Sequence, residues 1–351
     1  FDLFNPDRKS SLKLYINRVF ITDKCDALIP SYLRFIKGLV DTQDIDLNVS
    51  REMLQNNPAV AKISKSLVGK ILRELKKVSE KDLDGYKNFW KEYGAVLKEG
   101  LYEDAERKET LLDLCRFSTN DNEDPISLSQ YLEKMPDTQK EIYYISAETS
   151  AQALASPHLE GFKSKNIPVL IMTDAIDQFW LPMVGSFKEK KFTSITQGKI
   201  NLDELDSNNK DKKNNSKNDK EKQDKEYVDL IAQLKVVLGD QVKDIRLSSK
   251  LTDSPVCLVA DEGDMDIAME QLMAQRDSNY KGAPRILEIN GDHSLIKNMK
   301  SLLGKKESND LVSDAGTLLF EQARLMEGKM PADPAKFSKI MNQFLLKAIP
   351  N

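Results

Sequence analysis

The apolar positions of this chain change period several times, and each change marks a different element. Near the start, Leu12, Leu14 and Ile16 alternate with Lys13, Tyr15 and Asn17, and Val19-Phe20-Ile21 follow. A period of two predicts a strand with one buried face, with Phe20 in the core. Tyr32-Leu33 and Phe35-Ile36 predict a helix or helix-like turn between Pro30 and Val40, and the acidic residues 41–46 a loop. At Asn57-Pro58 the period becomes helical: Asn is a good cap and Pro suits the first helical position. Val60, Ile63, Leu67, Ile71, Leu75 and Val78 then make one apolar stripe, with lysines and Arg73 opposite. Tyr86, Phe89, Trp90, Tyr93 and Leu97 mark a second helix, and 120–125 a polar loop.

The next segment is strand, helix, strand: 141–146, 148–155 and 168–172, with Pro157 stopping the helix. That order predicts parallel pairing with a right-handed crossover. Asp174 and Asp177 follow the second strand without a third metal ligand, which favours capping of the next helix. Phe179-Trp180-Leu181 then reads as buried. Residues 207–226 hold no apolar side chain and nearly balanced charge, so they predict a flexible linker, partly helical near its end. Val228, Ile231, Leu234 and Leu238 open a last domain, with strands at 242–247, 256–260 and 285–288. Met265, Met269, Leu272 and Met273 line one helix face; methionine fills cores and also suits adaptable binding surfaces. Two terminal helices, 311–326 and 334–346, carry broad apolar faces: Leu318, Leu319 and Leu325 on the first, Ile340, Met341, Phe344 and Leu345 on the second. Such faces either fold back on their own domain or pack against two-fold mates in a four-helix bundle.

Composition narrows the function. The 351 residues suffice for two or three domains, with 40% hydrophobic and 31% charged residues. A net charge of −4 argues against a general nucleic-acid binder. Cys25, Cys115 and Cys257 are widely spaced and have neither disulfide nor metal spacing, which fits a reducing cytoplasm. No apolar run approaches the roughly 20 residues needed to cross a bilayer, so no membrane role is expected. Neither phosphate-cradling glycine motif is present.

The stretch 47–55 carries the sharpest chemistry. Ser50 is a suitable N-cap and Glu52 sits in the first turn, where free N–H groups and the helix dipole attract anions. Arg51 adds a full charge, Gln55 lies one turn along the same face, and Asn48 offers an amide just before. These donors suit a phosphate oxygen. On spacing alone, an arginine at a helix start is usually just solvated.

Several stretches together resemble one family. They are Phe1–Phe4, Leu12–Ile16, Arg18–Asp23, Leu47–Asn56, Phe89-Trp90, Leu97–Gly100, Ile142–Ile145, Ser156–Glu160, Val242–Leu247 and Leu251–Pro255. In this order they resemble the heat shock protein 90 chaperones, and the ending Ile349-Pro350-Asn351 resembles the bacterial form, which lacks an acidic Met-Glu-Glu-Val-Asp tail. The resemblance implies an α/β and α+β fold. Residues 1–122 would be the distal part of a middle domain, a ribosomal protein S5 domain 2-like αβα lobe with the catalytic loop, and 123–203 a small βαβ lobe. Residues 204–226 would be a charged linker, and 227–351 a mixed α+β dimerisation domain ending in a helical bundle. The chain then reads as a fragment without the nucleotide-binding domain. It binds no cofactor alone; ATP and Mg belong to the longer protein, with no metal site here.

The resemblance also assigns roles. Arg51, with Gln55 and Asn48, would contact the γ-phosphate in trans, and Phe20 would support the loop from beneath. Phe179, Trp180, Met265, Met269, Leu272 and Met273 would contact unfolded or partly folded client proteins. Leu318, Leu319, Leu325, Ile340, Met341, Phe344 and Leu345 would form a homodimer interface. A co-chaperone of the seventy-kilodalton heat-shock class is a further implied partner. The competing expectation is a nucleotide-independent dimeric scaffold or holdase using the methionine face.

Overall fold

The computed structural model describes residues 11–46, 54, 56–205, 213–277, 280, 282–304 and 309–349. By its contacts the chain divides into two compact units. One comprises Phe1–Ser118, Asn122–Glu133 and Asp174–Phe192; the other comprises Thr119–Asp121, Lys134–Thr173 and Thr193–Asn351. Among the described residues the secondary structure is mixed, with α-helices and sheets that combine parallel and antiparallel pairs.

β1 (Ser11–Ile16), β2 (Val19–Thr22) and β3 (Lys37–Thr42) form a sheet in the order β2-β1-β3. β1 turns into β2 through Asn17 and Arg18 at φ 51° and 65°, the left-handed pair of a tight hairpin. The alternation in β1 is borne out, with Leu12, Leu14 and Ile16 buried. Phe20 is not core: it is 53% exposed. It lies opposite Tyr15 in the ladder, with the rings edge-on at 5.6 Å. Opposed residues share a face, and Tyr15 points away from the Leu14 and Ile16 side. The expected helix between 30 and 40 is a single 3-10 turn, Ser31–Leu33, after which the chain runs straight into β3 alongside β1.

α1 (Pro58–Lys81) starts as expected: the Asn57 side chain accepts from the Ala59 and Val60 amides. Its buried line, however, is Val60, Val68, Leu72 and Ser79, while Val78 is exposed. The helix packs against both α2 (Leu83–Glu103) and α3 (Lys108–Leu114), so the predicted stripe becomes one flank of a wider contact. In α2 the stretch Leu97-Lys98-Glu99-Gly100 is wholly buried. The Arg34 guanidinium donates to both Glu99 oxygens, at 2.6 and 2.9 Å. Gly100 lies so close to Tyr32 and Leu111 that a Cβ would meet either at 2.9 Å.

β4 (Phe117–Thr119), β5 (Asn122–Ile126) and α4 (Leu128–Lys134) follow. β6 (Ile142–Ser146) leads through α5 (Ser150–Leu154) and α6 (Glu160–Ser164) to β7 (Leu170–Met172), and the two strands pair in parallel as expected. Tyr143, Ile145, Phe162, Val169 and Ile171 form the core there. α7 (Asp177–Val184) then precedes β8 (Ser186–Phe187) and β9 (Lys190–Ser194), an antiparallel hairpin.

α8 (Lys213–Leu238) extends through most of the predicted linker. Tyr227, Leu230, Leu234 and Leu238 are buried, which anchors the second half of the helix. Once nucleated, a helix propagates readily through Lys, Glu and Gln. β10 (Val242–Leu247), β11 (Val256–Val259), α9 (Ile267–Arg276) and β12 (Arg285–Ile289) come next, with sheet order β10-β12-β11. α10 (Ser294–Leu302), α11 (Asn309–Met326) and α12 (Pro334–Ala348) complete this unit. Its core joins Leu230 and Leu234 of α8, Leu287 and Ile289 of β12, and Leu319 and Phe320 of α11.

Candidate functional site

Asn48, Arg51 and Gln55 lie outside the described residues. Leu54, between them, is buried.

In α7 the two candidate aromatics separate. Trp180 is fully buried between Phe117 and Phe192, and its indole N–H donates to Asp177 Oδ1 at 2.7 Å. It therefore presents no surface to a partner. Phe179 is half-buried, edge-on to Tyr102 at 6.4 Å. Asp174 and Asp177 do not cap this helix; its N-cap is Ile176, without a side-chain cap bond. They instead hold Lys98, whose ammonium lies 2.8 Å from Asp174 Oδ2 and 2.9 and 3.0 Å from the Asp177 oxygens. Burial disfavours the charged form of Lys98, but the Asp177 and Asp174 carboxylates outweigh it and raise the pKa. Sequence reading missed this cluster, because its halves are more than 70 residues apart.

α9 is held down by a mixture of apolar and polar contacts. Ile267 and Glu270 are its buried residues, while Met269, Leu272 and Met273 are half-exposed. Met265 is exposed and lies before the helix rather than on it, since Asp266 is the N-cap. Asp266 accepts from the Ala268 amide and from the Ser194 and Thr196 hydroxyls. Glu270 accepts from the Arg285 guanidinium at 2.6 Å and the Ala283 amide at 3.0 Å, and the Gln271 amide group donates to the Glu327 carbonyl at 2.6 Å. Polar groups thus help Ile267 hold the helix down, and Met269, Leu272 and Met273 stay partly exposed. Periodicity alone cannot reveal this, because the partner of Glu270 comes from β12.

The terminal helices divide likewise. Leu319 and Ile340, predicted at an interface, are buried within their own chain; Phe344 and Leu318 are half-buried. Leu325, Met341 and Leu345 are exposed, as are Met326, Met330, Leu346 and Ile349. Ile340 and Phe344 are one turn apart and face inward. Met341 and Leu345 stand 100° further round and face out.

Two of the quoted sequence stretches also meet. The Glu160 carboxylate accepts from the Thr252 and Asp253 amides at 2.8 Å and from the Ser254 amide at 3.1 Å. Beside it, His158 is buried, and burial, reinforced by the Lys250 ammonium, holds its pKa well below the usual imidazole range. The unfolded chain would take up a proton at pH below about 6.5 while the folded chain does not, so the stability His158 contributes is complete above that pH and lost below it. At pH 5.5 the loss should approach about 1.4 kcal/mol relative to a His158→Gln variant. Denaturant midpoints of both proteins at pH 7.5 and 5.5 test this; parallel shifts would clear His158 of the role.

Among the described residues no group of His, Cys, Asp and Glu could hold a metal ion, and no helix is long and apolar enough to cross a membrane. The three cysteines are free and buried.

Comparison with known proteins adds an independent line. The family model described as "Hsp90 protein" matches residues 1–350. The chaperone protein HtpG of Roseobacter denitrificans is 44% identical over 351 residues, covering 99% of this chain and 56% of the relative. Those of Paramagnetospirillum magneticum and Wolbachia pipientis are 44% and 41% identical, again over 99% of this chain and 55% and 54% of theirs. The chain thus spans about half the length of the curated relatives it matches.

Proposed function

Because this chain belongs to the Hsp90 family, we propose that it acts as part of an ATP-dependent chaperone, supplying a client-binding surface, a dimer interface and an arginine that responds to nucleotide. The observation that carries the reading is the partly exposed apolar side of α9. A helix tied down by Asp266, Glu270 and Gln271 keeps Met269, Leu272 and Met273 partly open, with Met265 beside them. Flexible thioether side chains adapt to many apolar partners, as unfolded proteins demand.

Changing Met265, Met269 and Leu272 together to serine should weaken capture of unfolded protein roughly tenfold or more, given about 1–2 kcal/mol per large apolar group buried. Light scattering from a heat-unfolded model enzyme measures it, with circular dichroism to confirm that the variant is folded. Unchanged suppression of aggregation would move the client site elsewhere. The same assay separates the two functional classes. A response to ATP in the full-length protein supports the nucleotide-driven machine. Equal suppression with and without ATP supports a holdase scaffold.

For the dimer, the outward residues of α12 are the ones to change. Met341→Asp with Leu345→Asp should convert a dimer to monomer in sedimentation, because it would put charge on the exposed apolar residues proposed to meet the partner. A dimer that survives the double change would remove α12 from the interface.

Toward ATP, this chain would offer the Arg51 guanidinium, with the amide N–H groups of Gln55 and Asn48 beside it, donors suited to phosphate oxygens. The guanidinium would neutralise charge on the transferring phosphoryl group, while Mg and the remaining nucleotide contacts come from outside this chain. A co-chaperone of the seventy-kilodalton class belongs to the same proposal.

A further inference from the structure

One carboxylate in the second unit gathers four donors. Glu160, the first residue of α6, reaches a loop more than 90 residues further along the chain. Its Oε2 accepts from the Thr252, Asp253 and Ser254 amides, and its Oε1 from the Ser254 amide and hydroxyl. Three successive N–H groups aimed at one point make a concave anion site. Burial pushes the Glu160 pKa up, but the Ser254 hydroxyl and the three amides outweigh it and hold the carboxyl below its usual range.

The loop is also held from behind, without Glu160. The buried Asn290 side chain donates to the Thr252 and Ser254 carbonyls at 3.3 and 3.1 Å, and the Asn290 amide donates to the Pro255 carbonyl at 2.8 Å. The Ser248 hydroxyl oxygen accepts from the Lys250 and Leu251 amides at 3.1 and 3.3 Å. The loop therefore turns carbonyls toward Asn290 and amides toward Glu160, and its donors are aimed before any ligand arrives. On the other side α6 comes close: a Cβ on Gly161 would meet the Lys250 carbonyl oxygen at 2.5 Å. Thr252 and Asp253 are exposed, and Ser254 and Glu160 are half-buried. Water can replace a departing ligand there, so opening the contact costs less than breaking a fully buried one.

We propose that residues 252–254 form a preformed carboxylate receptor and that Glu160 is its tethered ligand, a latch between α6 and the sheet of β10, β12 and β11. The two oxygens of a carboxylate match the two sets of donors, and the negative Asp253 side chain on the same loop disfavours a doubly charged phosphate. The loop passes through Pro255 directly into β11, so the latch fixes α6 to that strand. When it opens, α6 is released while the receptor keeps its shape and accepts a free carboxylate. The latch stands independently of the chaperone reading.

The test is chemical rescue of Glu160→Ala in the whole chain, read by amide hydrogen exchange at neutral pH. The substitution removes the ligand and leaves the receptor, so the amides of 252–254 should exchange at least tenfold faster than in the native chain. Sodium formate should restore their protection saturably, whereas sodium chloride at the same ionic strength and neutral formamide should not. Inorganic phosphate should act at least tenfold more weakly than formate; equal action overturns the carboxylate assignment. The amides of 163–165 in α6 should also exchange faster, and should stay fast with formate, because a free ligand carries no tether. Loop amides as protected as in the native chain, or formate and chloride acting alike, overturn the receptor. Exchange in α6 that is unchanged by the substitution, or restored by formate, overturns the latch. Should Glu160→Ala fail to fold, Glu160→Gln decides: its weaker, neutral acceptor must speed exchange of the loop amides at least threefold, and exchange equal to the native chain overturns the receptor.

Discussion

Lys98→Ala should destabilise the first unit by about 3–5 kcal/mol, since it leaves the Asp177 carboxylate buried without its counter-charge. Asp177 is fully buried, and in the intact protein it is held by Lys98 from one side and the Trp180 indole from another. Truncation removes both the aliphatic stem and the ammonium, which lies 4.8 Å from the centre of the Phe117 ring. Urea unfolding followed by Trp180 fluorescence measures the loss. Two further variants separate charge from packing. Lys98→Met keeps the stem and should still be strongly destabilised. Adding Asp177→Asn to Lys98→Met should recover a large part, because the uncompensated charge is gone. A Lys98→Ala loss below about 1 kcal/mol would mean that Asp177 reaches water or takes up a proton at little cost.

Arg51→Ala, made in the full-length protein, should lower ATP turnover by roughly 10²–10³-fold, the range for removing one preorganised charge or donor aimed at a transferring group. Gln55→Ala should lower it less, because a neutral amide contributes less than a guanidinium. Folding and dimerisation should be unaffected, as judged by circular dichroism and sedimentation. Steady-state phosphate release is the measurement, and unchanged turnover in Arg51→Ala would end the role proposed for it.

What could be read from sequence follows the range of the forces involved. The Asn57 cap, the alternation in β1 and the parallel β6–β7 pair depend on near neighbours or on simple element order, and they were legible. The rotation of α1 was not, because two helices share its apolar side and only their packing shows which residues lie deepest. Phe20 illustrates the same limit: its strand was read correctly, but the face depended on register against Tyr15. Trp180 and Phe179 are adjacent large aromatics; what divides them is Asp177, and what holds Asp177 is Lys98 on α2. In α12, Ile340 and Met341 are adjacent, yet the first is buried and the second exposed. Asn48, Arg51 and Gln55 rest on local chemistry and family membership, since they lie outside the described residues.

The Glu270–Arg285 pair has a consequence for warm conditions. The cost of taking ions out of water declines as temperature climbs, whereas the gain from hiding oily surface levels off. A helix moored by charge should therefore keep its grip while attachments made of hydrocarbon alone gain nothing. On the proposed reading, the partly exposed Met269, Leu272 and Met273 would keep their place in the heat that unfolds other proteins.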